Sequence, residues 1–247
     1  MLKHFLNPPN WFTSAGLFCG MYAIVLATGT GVEQNFYMSA LMILFAGVFD
    51  MLDGRVARIT KTGSAFGVQL DSLVDLVSFG LAPALLLYAW GIHVLGVVGL
   101  IGAFAFVVCG AFRLARFNIN HGDGKAHAFS EGLTITTAGG TVACAVMAHA
   151  ASGRTSVEHP LNVLMLTLAL AFLMVSRVPY RTFKVGRSRR ATVIGVAFFM
   201  AAMLSIAVRF NLSTAFLTVS SAYVLSGPVE ATFFRRRLAA IRQRDEE

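Results

Sequence analysis

The sequence predicts an all-α, polytopic integral membrane protein of about eight transmembrane helices, and three observations carry that expectation. Apolar residues make up 56% of the 247-residue chain and charged residues only 13%, against about 45–50% and about 25% in soluble domains. The apolar residues fall in runs long enough to cross a bilayer, with a mean hydropathy of +0.70. When the runs are taken as alternating spans, 18 of the 20 Lys and Arg residues fall on one side, leaving Arg154 and Arg209 opposite. Such a bias orients a membrane protein with its basic side in the cytoplasm.

The elements follow in order. Residues 1–10 (MLKHFLNPPN) form a short interfacial segment stopped by Pro8 and Pro9, and Trp11 anchors the entry of the first span at headgroup level. With no small-residue cleavage site, that span is expected to be retained rather than removed as a signal. It covers about 11–29; the others cover about 36–54, 66–90, 93–115, 132–151, 161–178, 191–208 and 211–228. Acids interrupt one end of the second and third. The fifth starts on the polar, Gly-rich stretch EGLTITTAGG, and the last two are separated only by a turn around Arg209 and Asn211. Pro83 is expected to bend the third span and free one carbonyl. The tail, 229–247, mixes apolar and basic residues as an interfacial helix end does, then frays into acids. No polar stretch is long enough to fold alone, so 1–247 reads as one transmembrane domain. An even number of spans puts both termini in the cytoplasm, and a bacterial inner membrane is the expected location.

The net charge of +8 does not point to nucleic acid, because the basic residues lie between apolar runs and face anionic headgroups instead. Cys19, Cys109 and Cys144 are odd in number, form no CxxC and read as small buried hydrophobes.

The chemistry is expected where four acids gather. Asp50, Asp53, Asp71 and Asp75 lie in FDMLDGRVARITKTGSAFGVQLDSLVDLVSFG, where the second and third spans meet the cytoplasmic side. Asp50 and Asp53 are three apart, and Gly67, Asp71 and Asp75 are each four apart, so each set shares a helix face. Unpaired carboxylates there would cost several kcal/mol each and repel one another. Arg55 and Arg58 cannot neutralise all four. Divalent cations can: an oxygen-only set without His or Cys suits Mg²⁺ or Mn²⁺, and four carboxylates can bridge two ions. Gly54 and Gly67 open space beside the acids, and the Arg58 guanidinium suits phosphate oxygens. Metals beside a phosphate-binding Arg imply phosphoryl or phosphodiester chemistry. An ion pathway or a charge network that only orients the protein are the other classes such acids could serve.

From Asp50 to Asp75 the chain reads D-x2-D-G-x2-A-R-x8-G-x3-D-x3-D. This resembles the signature of the CDP-alcohol phosphatidyltransferases, with its eight fixed residues at their intervals over 26 positions. The resemblance implies a homodimeric membrane enzyme with a six-span catalytic core. It implies two divalent ions that bind the pyrophosphate of a CDP-linked donor, and transfer of a phosphatidyl-type group to an alcohol with release of CMP. It makes Asp50, Asp53, Asp71 and Asp75 metal ligands and Asp75, with Asp71, catalytic, Asp75 serving as general base. Gly54, Ala57, Arg58 and Gly67 would line the CDP site.

LDSLVDLVSFGLAPALLLY (70–88), PNWFTSAGLFCGMYAI (9–24), CGAFRLARFN (109–118) and PYRTFKVGRSRR (179–190) resemble the phosphatidylserine synthases of the Gram-positive and archaeal type. CDP-diacylglycerol and L-serine are then the implied substrates. Those synthases often carry a G-L-P-x-P-like turn where this chain reads Gly132-Leu133-Thr134-Ile135-Thr136. Candidate substrate contacts are Arg113, Arg116 and Asn118 at the cytoplasmic end of the fourth span, and Ser78 one turn after Asp75, which could instead bond back within its helix. Arg177 and Lys184, in the long basic loop, could hold the lipid-linked phosphate; the arginines serve equally as positive-inside anchors. His121 and His127 lie in an inner loop; His93 and His149 are expected near the outer interface. Ala138, Gly139, Gly140 and Thr141 are small enough for a close helix contact, within or between subunits.

Overall fold

Two prolines start the first helix where their missing N–H groups cost nothing: α1 runs Pro8–Thr28 and ends on Gly29, whose φ of +70° allows its N–H to return to Val25 O at 3.0 Å. The computed structural model describes residues 7–60, 62, 64–121, 129–153, 157–181 and 212–233. Along α1, Gly16, Gly20, Ala23 and Ala27 recur every three or four positions on the buried face. Small residues there let backbones approach: a Cβ on Gly20 would stand 2.8 Å from Ser78 Cα.

Helix α2, Phe36–Thr60, lies along α1, tied by the Ser39 hydroxyl to Ala23 O at 2.8 Å. Its 25 residues span about 37 Å at about 1.5 Å per residue, more than the roughly 30 Å of a hydrocarbon core. The expected boundary at residue 54 stops short, because the acids lower hydropathy without interrupting the backbone ladder.

The third rod, Ala65–Trp90, is built in three pieces. Helix α3 (Ala65–Asp75) is capped by Ser64, whose Oγ accepts from Gly67 N at 3.0 Å. A π-helical stretch, Leu76–Leu81, follows, and α4 (Ala82–Trp90) completes the rod. The Ala82 N–H returns to Val77 O, one residue further back than in an α-helix. The wider turn takes up the misfit of Pro83, which has no N–H to give to Phe79 O. Gly139 packs on that turn, where a Cβ would come 2.6 Å from Phe79 O and 3.0 Å from Pro83 Cγ. The close contact expected at Gly139 is therefore within the subunit.

A short 3₁₀ turn (Ile92–Leu95) leads to α5 (Val97–His121), followed by α6 (Ile135–Ala151), α7 (Pro160–Val175) and α8 (Leu212–Phe233). Helix α6 packs on α2 and α8, and α5 on α7. The core between α1, α2, α4 and α6 is filled by Ala23, Ile43, Leu86, Val142 and Val146. Outer faces expose Phe18, Phe104, Leu161 and Phe172, as lipid-facing surfaces do. Among the described residues, five helices are long and apolar enough to cross a membrane, α6 and α7 being shorter apolar helices. The chain is a polytopic membrane protein.

Seven of the eight expected helices fall on described residues. The expected span 191–208, Lys184, His127, residues 1–6 and the end of the tail lie outside them. Further details differ from expectation: α5 runs on to His121, past the expected end at 115. The fifth helix starts at Ile135, not 132, because Gly132 has φ +78° and Thr134 is the cap. Helix α8 continues to Phe233, past the expected start of the tail at 229. A two-stranded antiparallel ladder, β1 (Phe129–Glu131) with β2 (Pro179–Arg181), joins two loops, pairing Ser130 with Tyr180. Tyr180 is buried and donates to Val224 O of α8 at 3.1 Å. Burial pushes its hydroxyl up to about 12, so it stays a donor at neutral pH.

Candidate metal and phosphate site

The continuation of α2 past its acids and the capped start of α3 bring two pairs of carboxylates to one end of the bundle. Carboxylate oxygens of Asp50, Asp53 and Asp71 lie within 4.8 Å of one another. Asp53 is buried at 7% exposure, and its Oδ2 accepts a 2.8 Å hydrogen bond from the Thr13 hydroxyl of α1. Asp50 and Asp71 are half-buried. Asp75, one turn beyond Asp71, stands outside this group of three and within electrostatic reach of Arg113. The four acids therefore divide into a triad and a neighbour, rather than forming one cage.

The donor set fits a divalent cation. It is all carboxylate oxygen, the chemistry of Mg²⁺ and Mn²⁺ sites rather than of zinc. Among the described residues no basic side chain forms an ion pair with the triad. Three close carboxylates without a cation would repel, and a divalent cation is one way to offset that repulsion.

A cleft opens beside the triad, lined by Thr13, Asp53, Gly54, Ala57, Gly67 and Asp71 together with Asn7, Asn10, Thr62 and Ser64. A Cβ on Gly54 would meet nothing within 4 Å, whereas one on Gly67 would touch Ser64 Oγ at 3.4 Å and Asn10 Oδ1 at 3.5 Å. Asn7 closes the wall by donating to Thr62 O at 3.0 Å. Three of the four residues expected at a nucleotide site thus line one cleft. The fourth, Arg58, is exposed near the end of α2 and is not part of its wall.

The expected acceptor residues separate. Arg113 is buried at 7% exposure with its guanidinium 5.0 Å above the Phe117 ring, and among the described residues it makes no hydrogen bond. Asn118 donates to Ser72 Oγ at 2.9 Å, pinning α5 to α3 next to Asp71. Ser78 is fully buried, and its hydroxyl is given to Gly16 O of α1 at 3.2 Å rather than to its own helix. Arg177 is exposed beyond the end of α7. His93 and His149 sit at the opposite end, against Tyr88 and Trp90.

Arg116 is engaged by main-chain carbonyls. Its guanidinium donates to Val175 O at 2.9 Å, Glu131 O at 2.8 Å, Met174 O at 3.2 Å and Ser176 O at 3.3 Å. It caps the C-terminal carbonyls of α7, where a helix has no partners of its own and carries partial negative charge. Gly132 completes the cap, since a Cβ there would stand 2.5 Å from Met174 O and 2.8 Å from Arg116 Nη2. Replacing Arg116 with Ala is expected to cost about 2–4 kcal/mol, read as a lower melting temperature in detergent with the acceptor KM unchanged. Lys should restore little of it, because one ammonium cannot reproduce the planar fork. A raised acceptor KM at unchanged melting temperature would return Arg116 to the substrate.

Thr13, Asn7, Asn10 and Ser64 were not among the residues expected at the site. For Thr13 a signal exists: it starts the stripe Thr13, Gly16, Gly20, Ala23, Ala27 and is the polar member of a buried small-residue face.

The chain also resembles known proteins. The family model for CDP-alcohol phosphatidyltransferase matches residues 6–234. The CDP-diacylglycerol–serine O-phosphatidyltransferase of Helicobacter pylori is 36% identical over 187 residues, covering 72% of this chain and 75% of that protein. The protein of the same name from Bacillus subtilis is 33% identical over 177 residues, covering 71% and 90%. The archaetidylserine synthase of Methanothermobacter thermautotrophicus is 31% identical over 183 residues, covering 72% and 71%.

Proposed function

The chain belongs to the CDP-alcohol phosphatidyltransferase family, and from that premise we propose that it transfers the phosphatidyl group of CDP-diacylglycerol to the hydroxyl of L-serine, releasing CMP. The observation that carries the reading is the carboxylate triad of Asp50, Asp53 and Asp71 beside a glycine-walled cleft. Family membership sets aside the ion-pathway class. The names of the relatives favour serine over glycerol 3-phosphate or inositol phosphate as acceptor.

Asp50, Asp53 and Asp71 would hold the metal, with Asp75, one turn further along α3, offered to a second ion by the motif. Bound there, two Mg²⁺ or Mn²⁺ ions supply Lewis-acid polarisation of the pyrophosphate and neutralise charge on the departing CMP. Gly54, Ala57 and Gly67 leave room for the pyrophosphate against the helix backbones, while Arg58, outside the cleft wall, is assigned to its outer oxygens by the motif alone. Arg113 and Asp75 bear opposite charges at the same end of the bundle, separated rather than paired, an arrangement complementary to a zwitterionic amino acid. In this reading Arg113 holds the serine carboxylate, and Asp75 takes the hydroxyl proton as the serine oxygen–phosphorus bond forms and the bond to CMP breaks. Among the described residues no Cys or His lines the cleft, and the Oγ of its Ser64 is engaged in capping α3 at Gly67 N, which favours direct attack over a covalent intermediate. An Asp is a weak base for an alcohol, so positioning of the hydroxyl and late proton transfer carry the step.

The same reading takes 1–247 as a single transmembrane catalytic domain of eight spans, homodimeric in the inner membrane, with both termini and the acid-bearing end in the cytoplasm. The test is product formation by detergent-purified protein given CDP-diacylglycerol, Mn²⁺ and one acceptor at a time. Phosphatidylserine from L-serine alone is the expected result. A lipid product from glycerol 3-phosphate or inositol phosphate, with none from serine, would keep the reaction and overturn the acceptor. Because an archaetidylserine synthase is among the relatives, an isoprenoid CDP donor belongs in the same panel.

A further inference from the structure

We propose that Thr13 is a positioning residue for the metal site: its hydroxyl fixes the rotation of the Asp53 carboxylate so that one oxygen faces Asp50 and Asp71. The inference rests on the triad being a cation site.

Asp53 is the most buried of the four acids, at 7% exposure, so little solvent is available to orient it. The terminal torsion of an Asp is broad and roughly two-fold; an unrestrained carboxylate would share its oxygens between the triad and the α1 side. Thr13, itself 5% exposed, removes that freedom with a 2.8 Å bond to Oδ2. Its oxygen also lies 3.2 Å from Pro9 O, one helical turn earlier. A hydroxyl has a single proton, and the shorter contact to an ionised acceptor takes it. The Pro9 contact still matters, because Thr in a helix divides between two rotamers and the one facing the i−4 carbonyl is the one seen here. That rotamer aims the hydroxyl at α2. The next residue of the stripe keeps α1 near enough: at Gly16 a Cβ would already touch Ala46 O and Phe49 Cβ, both at 3.7 Å.

Partners that hold a ligand from behind typically account for about 10–100-fold in metal affinity. The test is an electron paramagnetic resonance titration of chelator-stripped, detergent-purified protein with Mn²⁺ alone, without substrates, alongside metal-free melting temperatures. Thr13→Val keeps the shape and removes the donor; it should weaken Mn²⁺ binding about 10–100-fold. Thr13→Ser keeps the donor and should bind within about threefold of the parent, a rescue that packing alone would not give. Should Thr13→Val not yield folded protein, Thr13→Ala carries the same expectation with less steric demand. A Thr13→Val or Thr13→Ala protein that binds Mn²⁺ as tightly as the parent, whatever its melting temperature, overturns the positioning role and leaves the triad intact. A folded parent protein that binds no Mn²⁺ overturns the triad reading itself.

Discussion

Asp71→Asn should reduce CMP release by at least about 1000-fold and weaken Mn²⁺ binding with it. Lewis-acid stabilisation is worth several kcal/mol of barrier, and each 1.36 kcal/mol is tenfold in rate. Asp71 is the triad member contributed by α3, opposite Asp50 and Asp53 on α2. Without its charge, α2 alone supplies two carboxylates and the ion loses the ligand that bridges the helices. Asn is nearly the same shape, and the surrounding contacts, including the Ser72–Asn118 pair, do not involve the lost charge. Folding should therefore survive, and relief of repulsion in the metal-free protein should raise its melting temperature. A variant with parental turnover would remove Asp71 from the chemistry.

Asp75→Asn should part the two functions that the sequence motif merges. Asp75 stands outside the triad and within electrostatic reach of Arg113, so the first Mn²⁺ should bind within about threefold of the parent, while turnover falls by about 10²–10⁴, the usual contribution of a positioned acid or base. KM for CDP-diacylglycerol should change less than kcat. Equal losses of Mn²⁺ affinity in Asp71→Asn and Asp75→Asn would instead make Asp75 a ligand of equal standing with the triad.

How much of this was legible beforehand varied with the physics of each feature. Span positions followed from run length because lipid solvates only apolar side chains, and seven of the expected helices lie on described residues. The extent of α2 was not legible from hydropathy, since Asp50 and Asp53 lower the score while the backbone ladder continues to Thr60. The π-helical stretch left only Pro83 as a trace, and the frame shift precedes the proline rather than following it. The grouping of acids was readable from three- and four-residue spacings on two helices. Which three meet was not, because that depends on how α2 and α3 are set against each other. Arg116 was the instructive case. A cation at a helix end reads equally as an anion site or a carbonyl cap, and the carbonyls it serves at Met174, Val175 and Ser176 are 58 to 60 positions away. The link from Thr13 to Asp53 carries no local signal for a related reason: the two are 40 residues apart.

Metal-dependent phosphatidyl transfer by this acid cluster should show in the stoichiometry of CMP release. Purified protein is stripped with chelator, then given CDP-diacylglycerol and L-serine with and without Mn²⁺. One CMP per phosphatidylserine, appearing only when Mn²⁺ and serine are both present, is the predicted result. Folded protein that binds Mn²⁺ yet releases no CMP with serine or any other acceptor would contradict it.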